Sequence, residues 1–548
     1  MIKSVKRLSI LAAVFSISVF SGFSQAQQGE DELLEELLSQ ESASESVNPE
    51  LQQNFVILEP LRNHDLNPHT TSYAADSQIL TGLYEGLFSY NPVTLEPQYA
   101  LAVDYKVSRD KKRMTFILRE DAYFSDGSKI TAEDVRRSWL MLLSTPDAPY
   151  ASLLDIIKGA EAFRSGTGKV DDVGIYVTDE KTLSVYLLSP ANYLPKVLCH
   201  SAFSVVSSNP TAFSGPFEIF DQEEGCIVLQ KNPYYWDKKN TYLDKITFIQ
   251  SDDGDENAYY YNSGAVDWIT SAVTVEKVID KNALQFSTEF GTAYYFFKNS
   301  CKKSTGKTSV NPWDYAEFRN AILEAMPWEK IRSVSFVPAT TFVYPLSGYP
   351  QIDGFDYTDL IEAKSLMKEA RAKYGFSEDE IIPLVLDISE YGISDDQEKA
   401  LKEAFAPLGV DFKVRKFSSA SYFSNVKISD SDLFSYTWIG DFADPLAFLS
   451  LFKGDSTLND SGWKNTEYDS LLDKAASAPE SERYNYLSQA ESLLLDSGMI
   501  IPIYHPVSFN LIDLTEVGGW AKNAFDIHPL KYLYKKEAKK TYDNVVKR

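Results

Sequence analysis

The chain has 548 residues and a formal net charge of −25 at pH 7. This length exceeds what one ordinary hydrophobic core covers, so two or three lobes are expected. The negative charge excludes a non-specific binder of nucleic acid or of anionic lipid. The 33 tyrosines and 32 phenylalanines are a high aromatic content, and such rings serve both core packing and the walls of sites that accept varied ligands.

The N-terminus predicts a secretory signal peptide over residues 1–26. Three basic residues within the first seven precede an apolar stretch, Leu8 to Phe23, and a small-x-small cleavage pattern ends at Ala26. A retained membrane anchor is the alternative, but the stretch is shorter than the ~20 residues that a span needs. Residues 27–51 are rich in Glu, Ser and Gln and predict a solvated acidic arm.

Three cysteines, Cys199, Cys226 and Cys301, have no CxxC spacing. Metal binding by these thiols is therefore not expected, and no cofactor is predicted. The odd number leaves at least one thiol unpaired within a chain, while one disulfide of undetermined connectivity stays open.

The first folded elements follow from local patterns. Phe55 to Leu58 is an apolar run typical of a buried strand, and Met114 to Leu118 predicts another strand after a charged turn. Gly127 lies in a second turn. Thr131 then predicts a helix N-cap, because two acids follow it in the first turn.

Further along the chain, Ser214 to Phe220 and Cys226 to Lys231 predict two strands around an acidic turn. Pro312 is expected near the first turn of a helix. Strands at Ile382 to Leu386 and Val410 to Val414 flank a helical pattern at 396–405, which predicts a β-α-β unit.

The C-terminal third has one long helical pattern, from Asn465 through Leu494, and before it a strand-like run, Leu433 to Thr437. Asp441 follows that strand directly. A carboxylate at such a place is costly to enclose unless a cation pairs with it, and a peptide α-ammonium is such a cation. The alternative is an exposed turn acid or a helix cap, with Asp444 before Pro445.

Several motifs occur in one order: LYEGL at 83–87, FSDG at 124–127, TAEDV at 131–135, NPYYW at 232–236, YLDKI at 242–246 and WIGDF at 438–442. In this order the chain resembles the oligopeptide- and dipeptide-binding proteins of bacterial ABC importers. The resemblance covers roughly Phe55 to Leu533. It implies receptors rather than catalysts.

The resemblance implies an α/β fold like that of the type II periplasmic binding proteins, with three lobes and a hinge. Its first domain is discontinuous and comprises residues 52–84, 214–291 and 505–548. The second domain comprises residues 85–213, and the third comprises residues 292–504. Because the chain crosses between lobes several times, closure over a ligand is the expected motion.

By resemblance, Asp441 pairs with the peptide ammonium, within a motif that also contains Trp438 and Gly440. Thr437 and Ile439 offer backbone N–H and C=O groups to an extended peptide.

Two further contacts are implied on other walls of the site, by Ala74 and Tyr150, and a core position is the alternative for Tyr150. Some relatives have an arginine that contacts the ligand at the position of Ser435 in this chain. Some also have a tryptophan that contacts the ligand, and its position falls near Ser419. No motif therefore sets peptide length.

The implied function is that of a monomeric periplasmic receptor that delivers oligopeptides to ABC permease subunits. Many relatives carry a lipid anchor on a cysteine at the cleavage site, and no such cysteine stands near Ala26. Two alternatives stay open: a receptor of the same fold for a sugar oligomer or metal chelate, and an extracytoplasmic hydrolase. A hydrolase needs a triad, metal ligands or a carboxylate pair, and no sequence pattern supplies one.

Overall fold

The computed structural model describes residues 51–299, 311–333, 335–346, 348–440 and 442–542. The predicted signal peptide, the arm up to residue 50, Cys301 and Asp441 lie outside the described residues. Among the described residues, no helix has the length and apolar character needed to cross a membrane.

The strands are, in chain order, β1 (Asn54–Glu59), β2 (Phe88–Tyr90), β3 (Pro97–Tyr99), β4 (Ala102–Val107), β5 (Arg113–Leu118), β6 (Ile175–Asp179), β7 (Thr182–Tyr186), β8 (Phe217–Glu223), β9 (Cys226–Lys231), β10 (Lys245–Gln250), β11 (Trp268–Ile269), β12 (Leu284–Thr288), β13 (Gly291–Phe297), β14 (Val337–Pro338), β15 (Ile382–Ser389), β16 (Val410–Phe417), β17 (Leu433–Ile439), β18 (Ile500–His505), β19 (Val507–Ile512), β20 (Val517–Gly518) and β21 (Tyr534–Lys535).

The α-helices are α1 (Ala74–Leu83), α2 (Ala132–Ser144), α3 (Ala160–Arg164), α4 (Leu194–Val197), α5 (Gly254–Asn262), α6 (Ala316–Ala325), α7 (Trp328–Ile331), α8 (Leu360–Tyr374), α9 (Asp395–Phe405), α10 (Ser419–Ile428), α11 (Leu446–Leu449), α12 (Thr466–Ser477) and α13 (Glu480–Asp496).

A seven-stranded sheet has the order β12-β19-β11-β1-β10-β9-β8. Its strands come from three separate stretches of the chain. The apolar run of β1 is buried on both faces, with Phe55 and Ile57 in one core and Leu58 in another. The sequence prediction of a buried strand there is confirmed, as is the antiparallel pairing of β8 with β9.

A four-stranded antiparallel sheet, β4-β5-β7-β6, is packed against α2. The predicted cap is confirmed: the Thr131 side chain accepts from the Asp134 N–H, and the Asp134 carboxylate accepts from the Thr131 N–H. Trp139 on this helix is fully buried, and its indole N–H donates to the Phe203 carbonyl at 3.0 Å.

A six-stranded sheet has the order β14-β18-β13-β17-β15-β16. Strands β15 and β16 are parallel and are joined through α9, which confirms the predicted β-α-β unit. Strand β17 pairs with β13 along its whole length, but it pairs with β15 only through Leu433 and Phe434. From Ser435 onward, no strand among the described residues therefore covers this edge of β17.

Two predicted helices differ from the structure. Pro312 opens a single 3-10 turn, Pro312–Asp314, and α6 begins only at Ala316. The long C-terminal pattern is two helices, α12 and α13. Pro479 separates them because a proline disfavours helical conformation in the residue before it, and Ala478 is extended with ψ of 155°.

Three of the sequence motifs contact one another in the structure. Glu85 of LYEGL accepts from the Tyr235 hydroxyl at 2.6 Å and from the Trp236 indole N–H at 2.5 Å. The Lys531 ammonium lies 3.7 Å from the same carboxylate. Gly127 of FSDG has φ of +81° and lies against the Tyr234 ring. These motifs therefore hold distant segments of the chain together.

Candidate functional site

A cavity of about 1130 Å³ lies where the seven-stranded and six-stranded sheets meet. Strand β17 contributes Ser435 and Thr437 to its wall, and β12 and β19 contribute Phe286 and Phe509. Other parts of the wall come from β18, from α10 and from the loop after β15. Thr437, which the sequence predicts to bind ligand, is thus exposed to this cavity.

Side chains alternate along β17, as they must in a strand. The Tyr436 and Trp438 rings pack against the hydrophobic core, where the Tyr436 hydroxyl donates to Asp460 at 2.8 Å and the Trp438 indole N–H donates to the Ala447 carbonyl at 2.8 Å. Trp438 therefore anchors the strand, and Thr437 on the opposite face meets the cavity.

At Ser435, where the pairing of β17 with β15 has ended, a side chain occupies the backbone groups of the strand. The Tyr422 hydroxyl accepts from the Ser435 N–H at 2.8 Å and donates to its carbonyl at 2.7 Å. Backbone groups of every second residue point to the same edge of a strand. The N–H and C=O groups of Thr437 and Ile439 consequently point to the edge that no strand in the described part of the chain covers.

Gly440 ends the strand at a tight contact. Its N–H donates to the Phe290 carbonyl at 2.7 Å, and a Cβ at this position would lie 2.5 Å from the Phe290 ring. Only glycine allows the backbone to approach the ring this closely. Gly440 thus fixes where the chain leaves β17 toward Asp441, which lies outside the described residues.

Asp444 has a structural role. Its carboxylate accepts two hydrogen bonds from the Arg483 guanidinium, at 2.5 and 2.8 Å, and one from the Leu446 N–H at 3.0 Å. The Arg483 guanidinium also lies 4.7 Å from the centre of the Tyr193 ring. Asp444 is thereby a buried ion-pair partner whose carboxylate also closes the turn before α11.

Ala74 is exposed at the first position of α1, and the neighbouring Tyr73 ring lines the cavity. The ring centres of Tyr73 and Phe423 are 5.8 Å apart. Arg62 supports this wall: its guanidinium lies 5.4 Å from the Tyr73 ring centre and bridges the buried Glu59 and Asp76 carboxylates. Burial raises the pKa of Glu59, but a hydrogen bond from His64 and the Arg62 guanidinium outweigh this effect and hold the pKa below its usual range.

Tyr150 does not line this cavity. Its side chain is buried, and its ring centre is 4.2 Å from that of His200. Burial lowers the pKa of His200 to about 3, so this imidazole is neutral at physiological pH. The structure therefore does not bring Tyr150 together with Thr437, and its contact with ligand stays a prediction.

Few charges face the cavity from the described residues. Lys416 lies 3.3 Å from Asp395 and 3.7 Å from Glu398, so its charge is offset. Burial lowers the pKa of His505, although a hydrogen bond to the Gly291 carbonyl opposes the shift. Glu390 adds a carboxylate to the wall.

In this region, the two side chains that most resemble a nucleophile and its base are Thr292 and His505. The Thr292 hydroxyl oxygen lies 3.2 Å from the His505 Nδ1. Both side chains are buried, and the Thr292 hydroxyl donates to the Phe342 carbonyl at 2.8 Å. The His505 Nδ1 is occupied by the Gly291 carbonyl at 2.8 Å. This geometry is that of a packed polar core and not of an exposed nucleophile and base.

Within the described ranges, no group of three or more His, Cys, Asp or Glu side chains could hold a metal ion. Cys199 is buried, burial raises the pKa of its thiol, and Cys199 and Cys226 are both free thiols.

Sequence reasoning missed most of the cavity wall. Among the described residues, ten Tyr and Phe side chains line the cavity. Five of these, from five separate stretches, are exposed, and they are Tyr73, Phe286, Phe336, Tyr391 and Phe423. The high aromatic content was a general signal for such a wall, but it could not say which of the 33 Tyr and 32 Phe rings would converge.

Comparison with known proteins gives one family. The family model described as bacterial extracellular solute-binding proteins, family 5 Middle, matches residues 96–460. The dipeptide-binding protein DppE of Bacillus subtilis is 29% identical over 499 residues, and the alignment covers 84% of this chain and 87% of that protein. The oligopeptide-binding protein OppA of the same organism is 26% identical over 473 residues, and the alignment covers 80% of this chain and 85% of that protein.

Solved structures have the same fold. Haemophilus influenzae OppA in complex with the peptide RPPGFSPFR superposes with a TM-score of 0.78 at 20% identity, covering 90% of this chain and 100% of that chain. The Escherichia coli murein tripeptide binding protein MppA superposes with a TM-score of 0.77 at 22% identity, covering 89% of this chain and 99% of that chain. The expected type II periplasmic binding protein fold is confirmed. The chain belongs to family 5 of the bacterial extracellular solute-binding proteins.

Proposed function

We propose that this protein is the solute-binding receptor of an ABC importer and that it captures oligopeptides in the cavity beside β17. The observation that carries the proposal is the uncovered edge of β17, which leads directly to Asp441. An extended peptide can add to such an edge through main-chain hydrogen bonds that all peptides share. The names of the relatives, a dipeptide-binding and an oligopeptide-binding protein, support this ligand class.

In the proposed complex, the backbone groups of Thr437 and Ile439 pair with the peptide, while Trp438 and Gly440 hold the strand end in place. The Asp441 carboxylate accepts the peptide α-ammonium, a charge-assisted pairing that fixes the N-terminal end of the ligand. Ala74 and Tyr150 contact the ligand from the other walls. Of these two, Ala74 has the support of its position beside Tyr73 at the cavity.

The proposed lobes are those expected from the sequence: residues 52–84, 214–291 and 505–548, then 85–213, then 292–504. The chain passes between the two large sheets at residues 289–290 and at Pro506, and the Glu289 N–H donates to the Pro506 carbonyl at 2.9 Å. Paired crossings of this kind suit a hinge. Closure about it would enclose the peptide.

The remaining parts of the proposal concern the cell. The protein is secreted to the periplasm after cleavage near Ala26, acts as a monomer, binds no cofactor and catalyses no reaction. Its partners are the peptide and the permease subunits of the importer. A sugar oligomer or a metal chelate is the alternative ligand.

Native mass spectrometry of the protein purified from cells tests the proposal. A set of short peptides bound at one copy per chain is expected, with the set lost in Asp441→Ala and retained in the exposed control Asp171→Ala. A sugar or chelate as the bound mass, with Asp441→Ala unaffected, would overturn the peptide assignment. Shortening of an added peptide during incubation would instead indicate a hydrolase.

A further inference from the structure

The cavity wall has an unusual composition that backbone pairing does not explain. We define the aromatic rim as Tyr73, Phe286, Phe336, Tyr391 and Phe423, all of which line the cavity. Phe336 is 86% exposed and Tyr391 is 87% exposed, and the other three are between 42 and 51% exposed. Single exposed rings are common on protein surfaces, but five exposed rings from five stretches that line one cavity concentrate apolar surface there, as binding surfaces do.

The charges on the same wall favour one class of ligand side chain. Lys416 is the single Lys or Arg among the described residues that line the cavity, and Asp395 and Glu398 already offset its charge. Glu390 and Asp395 give the wall an excess of negative charge. An acidic ligand side chain would meet repulsion there without a free cation to pair with.

The rim is also well placed relative to the edge of β17. The Phe423 ring packs against the ring of Tyr73, the residue before α1. Its centre lies 5.7 Å from the centre of the Tyr436 ring on β17. Side chains of a peptide paired to that edge would alternate above and below it and reach the rim on one side. The main chain would then give affinity, and the rim would give selectivity.

We propose that the cavity selects peptides with bulky aromatic or aliphatic side chains and discriminates against acidic side chains. This inference rests on the proposed peptide-binding function, because it assigns a preference within that ligand class. Large rings of the ligand would cover the rim and remove apolar surface from water on both partners.

The test uses pentapeptides of alanine with one residue replaced, at each position in turn, by Phe, Leu, Lys or Asp. Binding is measured by isothermal titration calorimetry with the full-length mature protein. At one or more positions, Phe and Leu are expected to bind about tenfold more tightly than Ala, and Asp about tenfold more weakly. Raising the salt concentration should reduce the Asp effect and leave the Phe effect in place.

Two variants assign the effect to the rim. Tyr391→Ser and Phe336→Ser remove side chains that are almost fully exposed, so the fold should tolerate both. Each variant should weaken binding of the Phe peptide more than binding of penta-alanine, so that the affinity ratio of the two peptides falls. Tyr357→Ser is the matched control, because Tyr357 is 69% exposed and is not among the described residues that line the cavity.

The outcomes separate this inference from the proposed function. Equal affinity for every pentapeptide would overturn the selectivity and leave the peptide receptor intact. An unchanged ratio in both rim variants would likewise overturn the role of the rim. If no pentapeptide binds, and purified protein carries no peptide, the proposed function itself fails.

Discussion

A buried ion pair lies in the segment that follows the proposed ligand-binding strand. Two hydrogen bonds from Arg483 to Asp444 join this segment to α13. The Arg483 guanidinium also contacts the ring of Tyr193, the residue before α4. Both side chains are buried. At the residue scale, the geometry beside Asp441 therefore depends on a charge that must remain paired.

The first prediction concerns this pair. Asp444→Ala should lower the free energy of unfolding by about 3–5 kcal/mol, because the Arg483 guanidinium would remain buried without its carboxylate. Urea denaturation measures the change. Asp496→Ala, at an exposed position on α13, is the control and should change the stability by less than ~0.5 kcal/mol. A loss of similar size in both variants would contradict the prediction.

The second prediction concerns Glu289, which lies in a crossing segment between the two large sheets. Burial, and then the negative charge of Asp526, raise the pKa of Glu289 from 4.5 to about 8. A carboxyl with a raised pKa binds its proton more tightly in the folded state. Its contribution to stability is therefore complete below pH 4.5 and is lost as the pH rises through about 8.

Glu289→Gln should remove this loss. Relative to the unmodified protein, the variant should gain about 1–3 kcal/mol of unfolding free energy between pH 4.5 and pH 8.5, since no charge needs to be buried. Chemical denaturation across that pH range measures the difference. Glu120→Gln, at an exposed position, should give a flat difference, and a flat profile for Glu289→Gln would rule out the raised pKa.

At the scale of the element, β17 combines two functions through the two-residue period of a strand. Tyr436 and Trp438 fix the strand in the core, and Tyr422 occupies the backbone groups of Ser435. The uncovered edge available to a ligand then begins at Thr437. This short edge limits how many main-chain hydrogen bonds a peptide can make with the strand.

The third prediction tests this edge through the ligand. A bound pentapeptide should be sensitive to N-methylation at alternate amides only, because every second N–H of an added strand points toward β17. Methylation at a sensitive amide should cost about 1–3 kcal/mol, which is a roughly 5- to 150-fold weaker Kd. Competition binding with each singly methylated peptide gives the pattern. Uniform losses at all positions would argue against strand addition.

At the scale of the whole molecule, the chain crosses between the two large sheets at residues 289–290 and at Pro506, and the crossings are packed closely. A Cβ on Gly291 would lie 2.5 Å from the Ile439 Cδ1 and 2.7 Å from the Trp438 carbonyl oxygen. The base of the proposed hinge is therefore continuous with the proposed ligand-binding strand. Ligand binding and lobe closure would be linked through these contacts.

The fourth prediction follows from this linkage. A peptide present at 100 times its Kd should raise the free energy of unfolding by about 2.7 kcal/mol. Small-angle X-ray scattering should show a smaller radius of gyration on saturation, because closure brings the lobes together. Asp441→Ala at the same peptide concentration should show neither change. Stabilisation without compaction would support binding but not closure.

Local chemistry was sufficient for much of this protein. The β-branched run of β5, the capping box at Thr131 and the β-α-β unit at 382–417 were predicted correctly, because each depends on residues close in sequence. The order of the motifs predicted the family and the fold. The predicted long C-terminal helix is interrupted at Ala478 and Pro479. The reason is also local, because a proline disfavours helical conformation in the residue before it.

Only the tertiary structure decided which side chains share a site. Glu85 meets Tyr235 from 150 residues away, and the aromatic rim joins five stretches. Pattern and propensity carry no information about such distances, since convergence depends on how sheets from separate stretches pack. The sequence by itself therefore determined the family, the fold and the strand that leads to Asp441, whereas packing decided which side chains form the cavity wall beside that strand.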